Sequence, residues 1–106
     1  MMGNELRPYM PTHPGEVLKD ELQARGISQK KFSSLAGISY TMMNEILNGK
    51  CPVSADMSLL LEAALGIDAA IWNNMQSRYN LEMARRDTSF ISKLESIRQI
   101  FRAACF

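Results

Sequence analysis

Apolar residues recur along this chain at three- and four-residue spacing, with no strict alternation, and that period predicts helices throughout and no strand. Val17, Leu18 and Leu22 form the inner face of a first helix, with Lys19, Asp20 and Glu21 between them. Thr12 or His13 is placed to cap it, and Pro14 to open it, because a proline lacks only an N–H that the first turn leaves unpaired anyway. Gly26 is placed to end it. Ser28 caps a second helix that turns Phe32, Leu35 and Ala36 inward and stops at Gly37. Ser39 caps a third, with Met43, Ile46 and Leu47 on one face and Tyr40, Thr41, Asn44 and Glu45 pointing elsewhere, until Asn48 and Gly49 end it. Ser54 opens a fourth, whose stripe is Met57, Leu60, Leu61, Ala64 and Leu65 up to Gly66. Asp68 opens a fifth, whose Ile71, Trp72, Met75 and Tyr79 close over the other four.

The pattern then runs on through Leu81, Met83 and Ala84, loosens from Arg86 to Ser89 with a break expected near Asp87, and resumes with Phe90, Ile91, Leu94, Ile97 and Phe101. A five-helix core of this size has no evident need for that last stripe, which points to burial in a second subunit or a partner protein, with packing back onto its own domain as the alternative. The expected organisation is an N-terminal arm over residues 1–12, a helical domain over 13–80 and a helical extension over 81–106.

Composition narrows the function classes. At 106 residues and 46% hydrophobic content the chain suits one compact domain. Its lead lacks the apolar core of a signal peptide and no apolar run is long enough to span a bilayer, so a cytoplasmic protein without membrane contact is expected. The two cysteines, Cys51 and Cys105, are far apart and read as free thiols. One histidine and two distant cysteines are too few for a metal or nucleophilic site, no phosphate-binding glycine loop is present, and His13 reads as a capping or packing residue. The expectation is therefore no enzyme, no cofactor and no small-molecule ligand. A net charge of +1 gives no global basic signal, so any nucleic-acid surface must be local. Lys30, Lys31 and Lys50 bracket the middle of the chain, with a solvated helix face as the plainer reading.

Function concentrates between Gln29 and Gly49, QKKFSSLAGISYTMMNEILNG, where two short helices meet at a glycine turn. A helix-turn-helix lays its first helix across the DNA backbone and its second in the major groove, which requires a small residue at the crossing, a turn glycine and apolar anchors. Ser33, Gly37, Ile38, Met43 and Ile46 stand at those places. The predicted DNA contacts are Ser39, Tyr40, Thr41 and Asn44 at the start of the second helix. Asn44 suits adenine, Thr41 offers a hydroxyl or a methyl, and Tyr40 suits phosphate or sugar. Gln29, Lys30 and Lys50 are predicted to contact phosphate. Glu45 fits only beside a cytosine amino group.

The segments HPGEVLKDEL, SQKKFSSLAGIS, ILNGKCPVSADMSLLLEAALG and IWNNMQSRYNLE resemble the HigA branch of Xre/Cro-type antitoxins, from His13 to about Glu82. The resemblance implies an all-α, five-helix fold like that of lambda repressor. It also implies a homodimer that binds double-stranded operator DNA in its own promoter and neutralises a HigB-like toxin that cleaves messenger RNA on the ribosome. Tyr40 stands where many relatives have Arg, and Ser33 where they have alanine, so a strong guanine contact is missing. A stand-alone Xre-family repressor and a protein-interaction module remain open beside the antitoxin.

Overall fold

The computed structural model describes residues 11–104, so most of the expected N-terminal arm, and Cys105, lie outside the described residues. Six helices follow in order: α1 Pro14–Ala24, α2 Gln29–Ala36, α3 Tyr40–Leu47, α4 Ala55–Leu65, α5 Ala69–Arg85 and α6 Thr88–Ala103. No strand occurs among the described residues, and no described helix is long and apolar enough to cross a membrane.

Each helix starts where a side chain can take up one of its orphan N–H groups. His13 Nδ1 accepts from the Gly15 N–H, and Ser28, Ser39 and Ser54 accept from the amides of Lys31, Met42 and Met57. Asp68 accepts from Ala70, and Asp87 from Ser89 and Phe90. The Ser89 hydroxyl and these amides hold the Asp87 carboxyl below its usual pKa. Gly37 ends α2 at φ 71°, a left-handed conformation open to glycine at little cost, and so turns the chain sharply into α3. The expected break at Asp87 is the junction between α5 and α6.

Helices of eight residues such as α2 and α3 are too short to persist alone and depend on packing. Phe32, Met43, Ile46 and Leu47 supply it, joining Leu18, Leu22, Val53, Met57, Leu61, Leu65 and Trp72 in one core drawn from α1 to α5 and the loop before α4. Arg25 Nη2 donates to the Leu65 carbonyl at 3.0 Å, tying the end of α1 to the end of α4.

Three residues expected to face inward face solvent. Leu35 is 77% exposed and Ile71 52%, and Ala64 is exposed as well. In α2 the buried face is set by Phe32 and Ser33 with Ala36 behind them; Leu35 lies about 100° round the helix from that centre. Buried Ser58 turns α4 away from Ala64, and buried Gln76 turns α5 away from Ile71. In each of these helices a small or polar side chain is buried while a bulkier apolar one, or Ala64, faces water.

Helix α6 stands apart. None of its residues is buried, and the described chain measures 57 × 27 × 24 Å with a radius of gyration of 18.0 Å. A compact chain of this length has a radius of gyration of about 13 Å.

Candidate nucleic-acid interface

The α2–Gly37–α3 pair brings most of the predicted contact residues to one surface. In α3, Met43, Ile46 and Leu47 are buried, which leaves Tyr40, Thr41 and Asn44 on the opposite, exposed side at positions i, i+1 and i+4. Tyr40 is 55% exposed. Ser39 is exposed at the start of the helix, but its hydroxyl oxygen already accepts from the Met42 N–H at 3.0 Å, so toward a ligand it has chiefly its O–H to offer.

Gln29 opens α2 and reaches across to α3, where its Nε2 donates to Asn44 Oδ1 at 3.3 Å. Asn44 is thus oriented by a neighbour, with its own NH2 group left available. The same α2 turn is fastened at the crossing by buried Ser33, whose hydroxyl donates to the Gln29 carbonyl at 2.8 Å. That bond satisfies locally the polar atom of a serine buried at the crossing.

Lys30 and Lys31 lie exposed on the first turn of α2, and Lys50 lies exposed in the loop after α3. None of the three is ion-paired with a described residue; the pairs among the described residues join Arg25 to Glu21, Arg86 to Glu82, and Arg98 and Arg102 to Glu95. Free cations flanking the exposed side of a helix provide the local positive surface that a net charge of +1 conceals.

Several features of this surface come from the tertiary structure. Met42, 46% exposed, adds an apolar contact on α3 that lies off the 43/46/47 face. Gln76 is buried in α5, and its Oε1 accepts from the Val53 N–H at 2.7 Å while its Nε2 donates to Asn80 at 2.9 Å. The loop that carries Lys50 is therefore anchored from α5.

Gly15 is pressed against the far end of α3: a Cβ there would meet the Ile46 carbonyl oxygen directly. His13 fills the adjoining corner, 4% exposed, beside Gly49 and edge-on to the Tyr79 ring at 4.8 Å and 79°. Burial holds its imidazole below the usual pKa, partly opposed by the Glu16 carboxylate. Because Nδ1 accepts the Gly15 N–H, the neutral ring with its proton on Nε2 is the form that fits. No group of three or more His, Cys, Asp or Glu side chains placed to hold a metal occurs among the described residues.

Comparison with known proteins agrees with this architecture. The model of the Helix-turn-helix family matches residues 18–72. Virulence-associated protein I of Dichelobacter nodosus is 37% identical over 81 residues, covering 76% of this chain and 75% of that protein. Among solved structures, an addiction module antidote protein of a HigA family from Coxiella burnetii superposes with a TM-score of 0.73 at 30% identity, covering 83% of this chain and 95% of that one. The Pseudomonas aeruginosa antitoxin HigA, solved with the higBA promoter, superposes with a TM-score of 0.68 at 31% identity, covering 84% of this chain and 92% of that one.

Proposed function

This chain belongs to the Helix-turn-helix family, in its HigA-type branch, and from that premise we propose that it is an operator-binding antitoxin, not an enzyme. The observation that carries the DNA-binding half is the exposed face of α3, Tyr40, Thr41 and Asn44, braced from α2 by Gln29 and flanked by Lys30 and Lys50, which pair with no described acid. In this reading α3 enters the major groove. Asn44 presents its amide to an adenine edge, Thr41 its hydroxyl or methyl, and Tyr40 and Ser39 reach the sugar-phosphate backbone. Gln29, Lys30 and Lys50 fix the register on phosphates. Two copies place their α3 helices in successive major grooves about 34 Å apart on a near-palindromic site. Residues 13–80 form the DNA-binding head and residues 81–106 an extension from it. The Pseudomonas aeruginosa HigA solved with promoter DNA supports this reading.

Neutralisation of a HigB-like toxin is the second half, and it rests on the branch to which the chain belongs. A repressor acting without a toxin uses the same α3 surface, so the two readings diverge only in a protein partner. Retardation of DNA from the protein's own promoter, set against a scrambled duplex at two salt concentrations, tests the first half. Specific, salt-sensitive binding supports it, and equal affinity for both duplexes overturns it. The gene neighbourhood and co-expression test the second half: a small basic reading frame beside the gene whose product forms a stable co-purifying complex supports the antitoxin, and the absence of such a frame or complex leaves the repressor.

A further inference from the structure

Glu45 stands on the outermost ridge of α3. At about 100° per residue, and with the inward direction set by buried Met43, Ile46 and Leu47, Thr41 and Glu45 lie within about 30° of the outward direction. Asn44 lies about 70° away from it, on the side where Gln29 reaches over from α2. The backbone that carries Glu45 is fixed, because its carbonyl accepts from the Lys50 and Cys51 N–H groups at 2.8 Å and 3.2 Å as the chain leaves the helix. Its carboxylate is exposed and makes no ion pair or hydrogen bond with a described residue. Asn48, its neighbour on the same ridge, turns its NH2 group to the Asn44 carbonyl at 2.9 Å instead. An acid in the last turn of a helix is also opposed by the helix dipole. No interaction among the described residues offsets that opposition, and a side chain at odds with its local surroundings points to a role outside the fold.

We propose that Glu45 is a specificity determinant of the DNA-binding reading above, on which this inference rests, and that it accepts a hydrogen bond from the amino group of one cytosine in each half-site. With α3 in the major groove, the outward ridge is the part of the helix nearest the base edges, and the groove is walled by phosphate. An ionised carboxylate brings acceptors and no donor. Beside guanine it meets O6 and N7, and beside thymine O4, so both repel it. Adenine offers its N6 amino group, but N7 of the same base then faces the second carboxylate oxygen. Cytosine offers N4 with no acceptor beside it on the same base, and is the one base that Glu45 can approach without repulsion. The charge therefore weakens binding at every wrong base and is compensated at the right one. Discrimination of this kind works by exclusion, in contrast to Asn44, which selects by a matched donor and acceptor.

Selection of binding sites from a pool of randomised duplexes tests this, with the full chain as wild type, Glu45→Gln and Glu45→Ala in parallel, followed by affinities for single-substituted duplexes. Glutamine matches glutamate in length and helix preference, and the position is exposed, so the fold is kept. The wild type is expected to select a C·G pair at one position of each half-site, favoured by about tenfold over the other three pairs. The Glu45→Gln amide can bond N6 and N7 of adenine together, so the preference at that position is expected to move to adenine. Glu45→Ala is expected to erase it, and both variants leave the other selected positions unchanged. Both should also hold a scrambled duplex about threefold more tightly than the wild type, through loss of one carboxylate's repulsion of phosphate across water. A Glu45→Ala chain whose preference is unchanged at every position overturns the role of Glu45 and leaves operator binding by α3 standing. A wild-type chain that selects no site overturns both.

Discussion

Gln29 Nε2 donates to Asn44 Oδ1 across the helix-turn-helix crossing, so the side chain proposed to read a base is held by the side chain proposed to hold a phosphate. Loss of Asn44 and loss of Gln29 should therefore not add independently. Asn44→Ala is expected to weaken specific binding by about 1–3 kcal/mol and to relax preference at one base pair. Gln29→Ala should cost less in the Asn44→Ala background than in the wild type. Fluorescence anisotropy on the operator and on single-substituted duplexes measures both, and an unchanged affinity for Asn44→Ala removes it from the contacts.

Lys50 and Lys30 are exposed and ion-paired with no described residue, and a phosphate contact carries no sequence information. Lys50→Ala and Lys30→Ala are each expected to weaken specific and non-specific binding alike. Each should also lower the slope of log K against log salt by about 1. A change in base preference with an unchanged slope would place the lysine elsewhere.

Gly15 has the last turn of α3 where a methyl group would go. Gly15→Ala cannot be accommodated by a side-chain rotation, because the obstructing atom is the Ile46 carbonyl oxygen, so α1 and α3 must separate. An overpacking cost of about 1–3 kcal/mol is expected as a lower urea midpoint. The same shift should loosen operator binding. A midpoint within error of wild type would show that the crossing has slack.

His13 caps α1 in its neutral form, and burial lowers its pKa below 6.5 in the fold. In the window below that unfolded value the unfolded chain binds the proton more readily, so stability rises with pH. The contribution is complete above about pH 6.5. It is lost as pH falls from there toward the folded pKa. His13→Ser puts a hydroxyl oxygen at the cap as acceptor in place of Nδ1 and removes the titration, so the difference in urea midpoint between the two proteins should change between pH 7.5 and 5. A difference constant across that range would deny His13 the role.

Helix boundaries were legible because caps act over two or three residues: Ser28, Ser39, Ser54 and Asp68 each bond an amide of their own first turn, and Asp87, where the pattern predicts only a break, does the same. The exposed side of α3 followed from the 43/46/47 face in the same way. What local period does not encode is how deeply one helix beds against another. Leu35 fits the apolar spacing of α2 as well as Phe32 does, yet it faces water because the close approach is made at Ser33. The Gln29–Asn44 bond, the Gln76 anchor on Val53 and the tight seat of Gly15 join residues 15, 23 and 31 positions apart, and no short pattern announces them.

Caps that act over so few residues also bear on how quickly this chain finds its shape. Each helix of the head has its start signal within its own first turn, and the eleven core residues then need only be gathered from neighbouring helices. Chains with such local contacts fold in microseconds to milliseconds. The head should accordingly show its main refolding phase within that range after dilution from urea.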